Sequence, residues 1–496
     1  MPLQAGNAAA AAVLGRADAA LACLRATGQG LPWGRPRREV LLLALVAVAA
    51  LSPSFALNSQ DVSRLCLTNA LRDGRVSNDP CLGTTFAVDR ASYGGHFYSD
   101  KAPGMSVLQV PSAVAVDLPK DIYRWPLEGW QIWAIRVLSS GIALLVAAFL
   151  VGRICEGLAP GCGGMSLVTF ALGTLVAPFG AANFGHVTAG TLGLAAFALA
   201  WSRRPLPAGL AAGAAVCVEY QSALIAIVLA GYAALHGLRH LRAFALGVLP
   251  GAALLALYDW AAFGAPWRLS YRYVAEEFQA EQSGGFFGIH LPNGHAVREV
   301  FVGDGGLLLV SPVVAAAAYG LVLLGRRHRA EALACGLVVL VFVALNCGYY
   351  YPYGGRSPGP RFLVPALPFL ALGLGPAFAA RFRLTAVLAA LSLVPMTALT
   401  LTWANGAPAG SIWGALEDLV RARGDSWLAQ TLTSNVFDQV DWLSRRHAAE
   451  LVALAAFAAF AVALATAATS SRPTWLPRGS ARARRLLRRA SPGSPT

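Results

Sequence analysis

Tyr98-Ser99-Asp100-Lys101-Ala102-Pro103-Gly104 is the stretch on which the reading of this chain turns. It lies in the longest polar interruption between apolar runs, Asn58 to about Gln131, which also holds Asp61, Arg64, Arg72, Asp73, Arg75, Asp79, Asp89, Arg90 and His96. Of 39 Lys plus Arg residues only Lys101 and Lys120 are Lys. Where positive charge alone is wanted this sequence uses Arg, so a Lys points to a compact ammonium. Pro103 and Gly104 set a turn just before the apolar stretch Met105 to Val116. The ammonium then stands at an interface, where it either meets a phosphate or serves as a snorkelling cation.

Outward from this segment nearly everything is apolar. The 496 residues are 56% hydrophobic and 13% charged, against about a quarter charged in soluble domains. Several runs of about 18 or more apolar residues indicate a polytopic helical membrane protein. The net charge of +14 is spread over short loops between those runs, which is the positive-inside signature and excludes a nucleic-acid partner. Val40 to Leu57 reads as the first span; Ser54-Phe55-Ala56 would suit a cleaved signal peptide, but a retained anchor is simpler with so many spans following. Further spans are expected at 132–152, 165–183, 187–202, 243–262, 300–324, 331–350, 362–380, 384–404 and 448–468.

Basic clusters at Arg153, Arg203-Arg204, Arg239 with Arg242, Arg326-Arg327-Arg329, Arg381 with Arg383 and the tail from Arg472 to Arg489 set the orientation. If all are cytoplasmic, the segment of about 34 residues from Arg204 to Arg239 crosses twice or re-enters as two short helices. Glu219-Tyr220-Gln221 is then its outer tip. The expectation is an all-α protein of about 12 spans with both termini cytoplasmic. Residues 1–38 form a cytoplasmic tail, 39–470 the transmembrane domain and 471–496 a basic cytoplasmic tail. The first extracytoplasmic loop, 58–131, carries short helices, and the other outer loops include 263–299, 351–361 and 405–447. The functional face is the outer one. Cys66 and Cys81 share the first outer loop, where either a disulfide or two free thiols is compatible with the sequence. No Cys/His spacing resembles a zinc site.

The candidate base is Asp61, just past the first span, where an acceptor hydroxyl would lose its proton. The run Asn58-Ser59-Gln60-Asp61 equally suits a helix cap. Tyr349-Tyr350-Tyr351-Pro352-Tyr353-Gly354-Gly355-Arg356-Ser357-Pro358-Gly359-Pro360-Arg361-Phe362 places two outer arginines in a Gly-rich loop, against the inside bias of positive charge. Arg356 and Arg361 there suit a phosphate or diphosphate, and the tyrosines suit a sugar face or the interfacial belt. Asp89, Tyr98, Asp100, His186, Glu219, Tyr271 and Tyr353 are further substrate-binding candidates. The loop with Tyr271, Tyr273, Glu276, Glu277, His290 and His295 reads as a substrate lid.

Together these stretches resemble the polytopic GT-C glycosyltransferases that use polyprenyl-phosphate sugars, a group including protein O-mannosyltransferases and lipid A aminoarabinose transferases. The resemblance covers most of residues 40–404. It rests on an acid after the first span, the Lys101-Ala102-Pro103-Gly104 turn, His186 ending the third span, and the Arg loop before Gly359-Pro360-Arg361-Phe362-Leu363-Val364-Pro365-Ala366-Leu367-Pro368-Phe369. Many members carry paired acids after the first span; here Gln60 precedes Asp61, which leaves Asp79 and Asp89 open as sharers of the base role. The resemblance implies inverting transfer of a sugar from a polyprenyl-phosphate donor to a lipid, glycan or protein acceptor at the plasma membrane's outer face. Asp61 would be the base, and Lys101, Arg356 and Arg361 would hold the departing phosphate. A phosphate leaving group needs no general acid and no metal, although a divalent metal is left open. A transporter or flippase, with mid-membrane charges and repeated halves, and a non-catalytic scaffold are the rival classes.

Overall fold

The computed structural model describes residues 35–52, 57–84, 88–122, 129–355, 357–402 and 445–468. Arg356, nearly all of both expected tails, the region of the signal-type cleavage site and most of the 405–447 loop lie outside them.

Helix α1, Arg35–Ala50, precedes the polar segment. That segment folds as α2 (Ser59–Arg72), a short helix Asp79–Leu82, a hairpin of β1 (Arg90–Tyr93) and β2 (His96–Ser99), and α3 (Gly104–Ala115). The expected short helices are present, but the segment is not wholly helical. Gly94 and Gly95, at φ 60° and 82°, supply the two left-handed residues that a tight hairpin turn with the right twist requires. They place Arg90 opposite Ser99 and Tyr93 opposite His96. Cys66 and Cys81 are joined in a disulfide, tying α2 to the Asp79–Leu82 helix.

The apolar runs form α4 (Trp130–Leu158), α5 (Gly163–Gly173), α6 (Gly185–Trp201), α7 (Pro205–Val218), α8 (Ala223–Ala234) and α9 (Leu238–Phe263). The chain continues as the polar helix α10 (Glu276–Ser283) and then α11 (Gly294–Val302), α12 (Val313–Leu324), α13 (Arg329–Gly348), α14 (Leu374–Thr402) and α15 (Arg445–Ala468). Among the described residues α4, α9, α13 and α14 are long and apolar enough to cross a bilayer. At 1.5 Å per residue a 26-residue helix such as α9 is about 39 Å long. Its exposed face carries Leu246, Leu249, Leu254, Leu257 and Trp260, side chains suited to hydrocarbon rather than water. Shorter apolar helices fill the rest, and the chain is a multi-pass helical membrane architecture.

Several expected spans are interrupted. The 300–324 run bends by 89° ahead of α12, where Pro312 cannot continue the hydrogen-bond ladder. The 165–183 run stops at Gly173 and resumes as a short helix, Val176–Gly180. The 384–404 span joins the end of its predecessor in α14 across a break at Arg381, with φ −140° and ψ 56°.

Helices α7 and α9 approach backbone to backbone. A Cβ on Gly247 would lie 2.9 Å from the Gly209 Cα, and one on Gly251 would lie 2.8 Å from the Gly213 Cα. Two small-xxx-small pairs thus face each other, the arrangement that lets apolar helices associate where the hydrophobic effect offers no drive. The helices share one polarity. α6 runs from His186 to the Arg203-Arg204 end, α7 from there to Glu219, α9 from Arg239 and Arg242 to Asp259, and α13 from Arg329 to Asn346. The basic clusters gather at one end of these helices and the candidate site residues at the other.

Candidate active site

The first turn of α2 is a capping box. Asn58 Oδ1 accepts from the Asp61 N–H at 3.0 Å, and Asp61 Oδ2 accepts from the Asn58 N–H at 3.1 Å. Two donors that the helix start would leave unpaired are satisfied reciprocally. The cap and the base reading of Asp61 are therefore not exclusive, since a carboxylate offers about four acceptor positions. Asp61 is only 2% exposed. Its neighbours on the turn reach two ionic groups: Ser59 Oγ accepts from the Asp89 N–H at 2.8 Å, and Gln60 Oε1 accepts from Arg64 Nη1 at 3.0 Å.

The hairpin assembles the first group. Because Arg90 pairs with Ser99, the residues just outside the ladder, Asp89 and Asp100-Lys101, are carried to the same end. Lys101 Nζ lies 2.6 Å from Asp89 Oδ1 and 2.8 Å from Asp100 Oδ2, with Lys101 8% exposed. An ammonium has three donors, and these carboxylates take two. Burial alone would push the Lys101 pKa down, but Asp100 and Asp89 override it and hold it above the ordinary value. Burial would raise Asp89, yet Lys101 and Arg361 hold its carboxyl below the ordinary range. Asp100 goes the other way, raised by burial and by the repulsion of Asp89. Gly104 does not act here as a turn residue: it opens α3, and a Cβ on it would collide with the backbone of Cys217 and Val218. Close approach of α3 to the end of α7 demands it.

Arg361 lies within electrostatic reach of this group. Its charge acts on Asp89, Lys101 and Tyr271. Its guanidinium carbon is 5.1 Å from the Phe362 ring centre, and its buried Nε has no hydrogen-bond partner among the described residues.

The second group centres on Glu219. The sequence suggests an outer tip; instead Glu219 is 4% exposed, in the break between α7 and α8. It turns inward because Arg64 Nη2 meets its Oε1 at 2.6 Å, and His186 Nδ1 lies 3.4 Å from the same oxygen. Arg64, 1% exposed, is a site residue that the sequence reading did not single out. Its signal was its place one helical turn beyond Asp61.

Other candidates serve differently. Tyr98 packs 5.2 Å from Phe263 in an aromatic cluster. Tyr353 accepts from the Gly305 N–H at 3.2 Å and donates to the Glu299 carbonyl at 3.1 Å, so its hydroxyl clasps two loops together. Tyr271 packs against Tyr220 at 5.2 Å and lies within electrostatic reach of Lys101. Asp79 accepts from the Phe97 N–H at 2.6 Å and meets His96 Nδ1 at 2.9 Å, which engages it with the hairpin. The loop that the sequence suggests as a lid is bridged at Ala91 to Val274 and at Ile289 to Tyr349.

No protein-family profile and no curated protein matches this sequence. Solved structures do. The chain is similar to ArnT from Cupriavidus metallidurans bound to undecaprenyl phosphate, with a TM-score of 0.53 at 15% identity, over 88% of this chain and 77% of that one. It is also similar to the apo oligosaccharyltransferase of Archaeoglobus fulgidus, with a TM-score of 0.44 at 13% identity, over 94% of this chain and 61% of that one. Over most of its length the chain shares the fold of ArnT.

Proposed function

We propose that this chain is an inverting membrane glycosyltransferase that moves a sugar from a polyprenyl-phosphate donor to a lipid, glycan or protein acceptor. One observation carries the reading: a buried, charge-paired Lys101–Asp89–Asp100 group within electrostatic reach of Arg361, at one end of a helical bundle with the fold of ArnT, a protein whose structure contains undecaprenyl phosphate. A buried, carboxylate-held ammonium with a guanidinium nearby suits a charge that grows on a leaving phosphate.

In this account the acceptor hydroxyl gives its proton to Asp61, and its oxygen attacks the anomeric carbon opposite the phosphate. The bond from that carbon to the phosphate oxygen breaks, with the electron pair staying on the phosphate. One displacement inverts the configuration, as in one-step glycoside chemistry. The third N–H of Lys101, together with Arg361 and Arg356, receives the phosphate. Asp89 and Asp100 hold the ammonium in position. The account takes about 12 spans with both termini in the cytoplasm; the segregation of basic clusters from the site and a Cys66–Cys81 disulfide suited to an oxidising compartment support an extracytoplasmic site.

Lipid extracts of a deletion strain test the reading. A single polyprenyl-phosphate sugar should accumulate, and the wild-type gene should clear it. An unchanged lipid-linked sugar pool together with an unchanged envelope would overturn the assignment.

A further inference from the structure

Arg64, His186 and Asn183 carry buried polar atoms that their protein neighbours do not satisfy. Arg64 Nε, His186 Nε2 and Asn183 Nδ2 have no hydrogen-bond partner among the described residues, and His186 Nδ1 has only its 3.4 Å approach to Glu219 Oε1. The three residues are 1%, 2% and 2% exposed. Their other atoms are fixed. Arg64 is held by Glu219 and Gln60, and Asn183 Oδ1 accepts from Gln109 Nε2. Thr68, one turn along α2 from Arg64, donates both to the Arg64 carbonyl and to Gln109 Oε1. A rigid polar frame thus joins Arg64 to the 183–186 segment. Leaving buried polar groups unsatisfied is costly, so three in one frame call for a compensating occupant.

The wall of this frame is aromatic. The His186 ring lies 5.7 Å from Phe184, 5.8 Å from Phe179 and 5.9 Å from Phe362. Phe362 follows Arg361 directly, which joins this wall to the phosphate-facing side of the site. Charge within the frame is already paired, Arg64 with Glu219, and the unsatisfied groups are an amide N–H, a guanidinium N–H already neutralised, and an imidazole that both donates and accepts. Unpartnered donors and acceptors beside aromatic faces fit hydroxyls on an apolar-faced ring. An added ammonium would sit among Arg64, Arg361 and Lys101, whose charges all reach His186, with the Glu219 carboxylate already paired, which is strongly unfavourable.

Resting on the transferase reading above, we infer that Arg64, Asn183 and His186 form the recognition subsite for the transferred sugar, and that this sugar is hydroxyl-bearing rather than an amino sugar. Asn183 and His186 then act as specificity-determining residues.

Binding to the full-length protein in lipid nanodiscs, read by native mass spectrometry, tests this with three probes. They are undecaprenyl phosphate alone, undecaprenyl phosphate carrying a neutral hexose, and undecaprenyl phosphate carrying a 4-amino-4-deoxypentose. The neutral hexose should tighten binding over the bare lipid phosphate by about tenfold or more, and the amino sugar should not. His186→Ala and Asn183→Ala should each remove that gain while binding bare undecaprenyl phosphate as wild type does. Retained gain in both variants, or preference for the amino sugar, would overturn the subsite. Failure of the wild-type protein to bind bare undecaprenyl phosphate would instead strike the transferase reading, and the subsite with it. Unchanged binding of the bare lipid phosphate by the variants also separates a lost sugar contact from misfolding.

Discussion

Asp61 carries two duties that a single substitution separates. In Asp61→Asn the amide oxygen can still accept from the Asn58 N–H, so the capping box survives while basicity is lost. Stability by thermal unfolding should stay close to wild type, and turnover should fall by about 10² or more. Asp61→Ala should lose turnover and also cap stability, by about 0.5–2 kcal/mol. Wild-type transfer by Asp61→Asn would move the base elsewhere. Lys101 needs a different design, because it is bound on two sides: Lys101→Met would strand the buried Asp100 and the partly buried Asp89 carboxylates, a loss of up to about 3–5 kcal/mol for a broken buried pair, and would confuse folding with phosphate binding. The two partners are the cleaner probe. Asp89, held below its ordinary pKa, contributes stability that is present above about pH 3.9 and is lost as pH falls through its depressed folded value. Asp100, raised by burial, has the opposite sign, favouring the fold less as it ionises. Asp89→Asn should therefore lower the unfolding temperature at pH 7 more than Asp100→Asn does; the reverse ranking would contradict the assignment of Asp89 as the main counter-ion. Lys101, Asp89 and Asp100 could be picked out in the sequence as a polar set, whereas the Arg64–Glu219 pair spans 155 residues and no local pattern announces it.

At the scale of elements, the hairpin decides the site, since its register brings Asp89 to Lys101. That hairpin was readable: Gly94-Gly95 between two short runs containing Tyr93 and Phe97 is a strong turn signal, masked by the weight of apolar helix around it. Gly104 was readable as a special glycine but for the wrong reason. Its need comes from the Cys217 backbone, a neighbour that only the packed fold supplies. The disulfide makes the segment's stability redox-dependent. Its bridge closes a separation of 15 residues, worth about 3 kcal/mol in the chain-entropy account. Cys66→Ser should lower the unfolding temperature and abolish its dependence on reductant, measured by thermal unfolding in detergent. An unfolding temperature that is the same with and without reductant in the wild-type protein would show that the bridge does not carry this segment.

At the scale of the molecule, composition and charge placement fixed the class, and the polarity of the helices follows from where the arginines lie. What sequence could not give was the interior of the spans. Pro312 and Arg381 interrupt apolar runs whose hydropathy alone reads as continuous; the proline is a helix breaker that hydropathy does not weigh, and Arg381 carries no such local signal. The two ends of α9 report the orientation directly. Trp267→Cys, just beyond α9 at a residue 79% exposed, should react with an impermeant maleimide added outside intact cells, and Arg239→Cys should not. The described free cysteines are all buried, which keeps the background low. Labelling of Arg239→Cys from outside would reverse the topology. The central claim, that this chain transfers a lipid-linked sugar with Asp61 as base, is met most directly by mass spectrometry of cell-envelope glycans and glycolipids. The strains to compare are a deletion and the same deletion complemented with wild-type or Asp61→Asn protein at equal membrane levels. The account requires one sugar substituent to vanish in the deletion, return with wild type and stay absent with Asp61→Asn; an envelope that keeps every substituent in the deletion strain, or regains the missing one with Asp61→Asn, would contradict it.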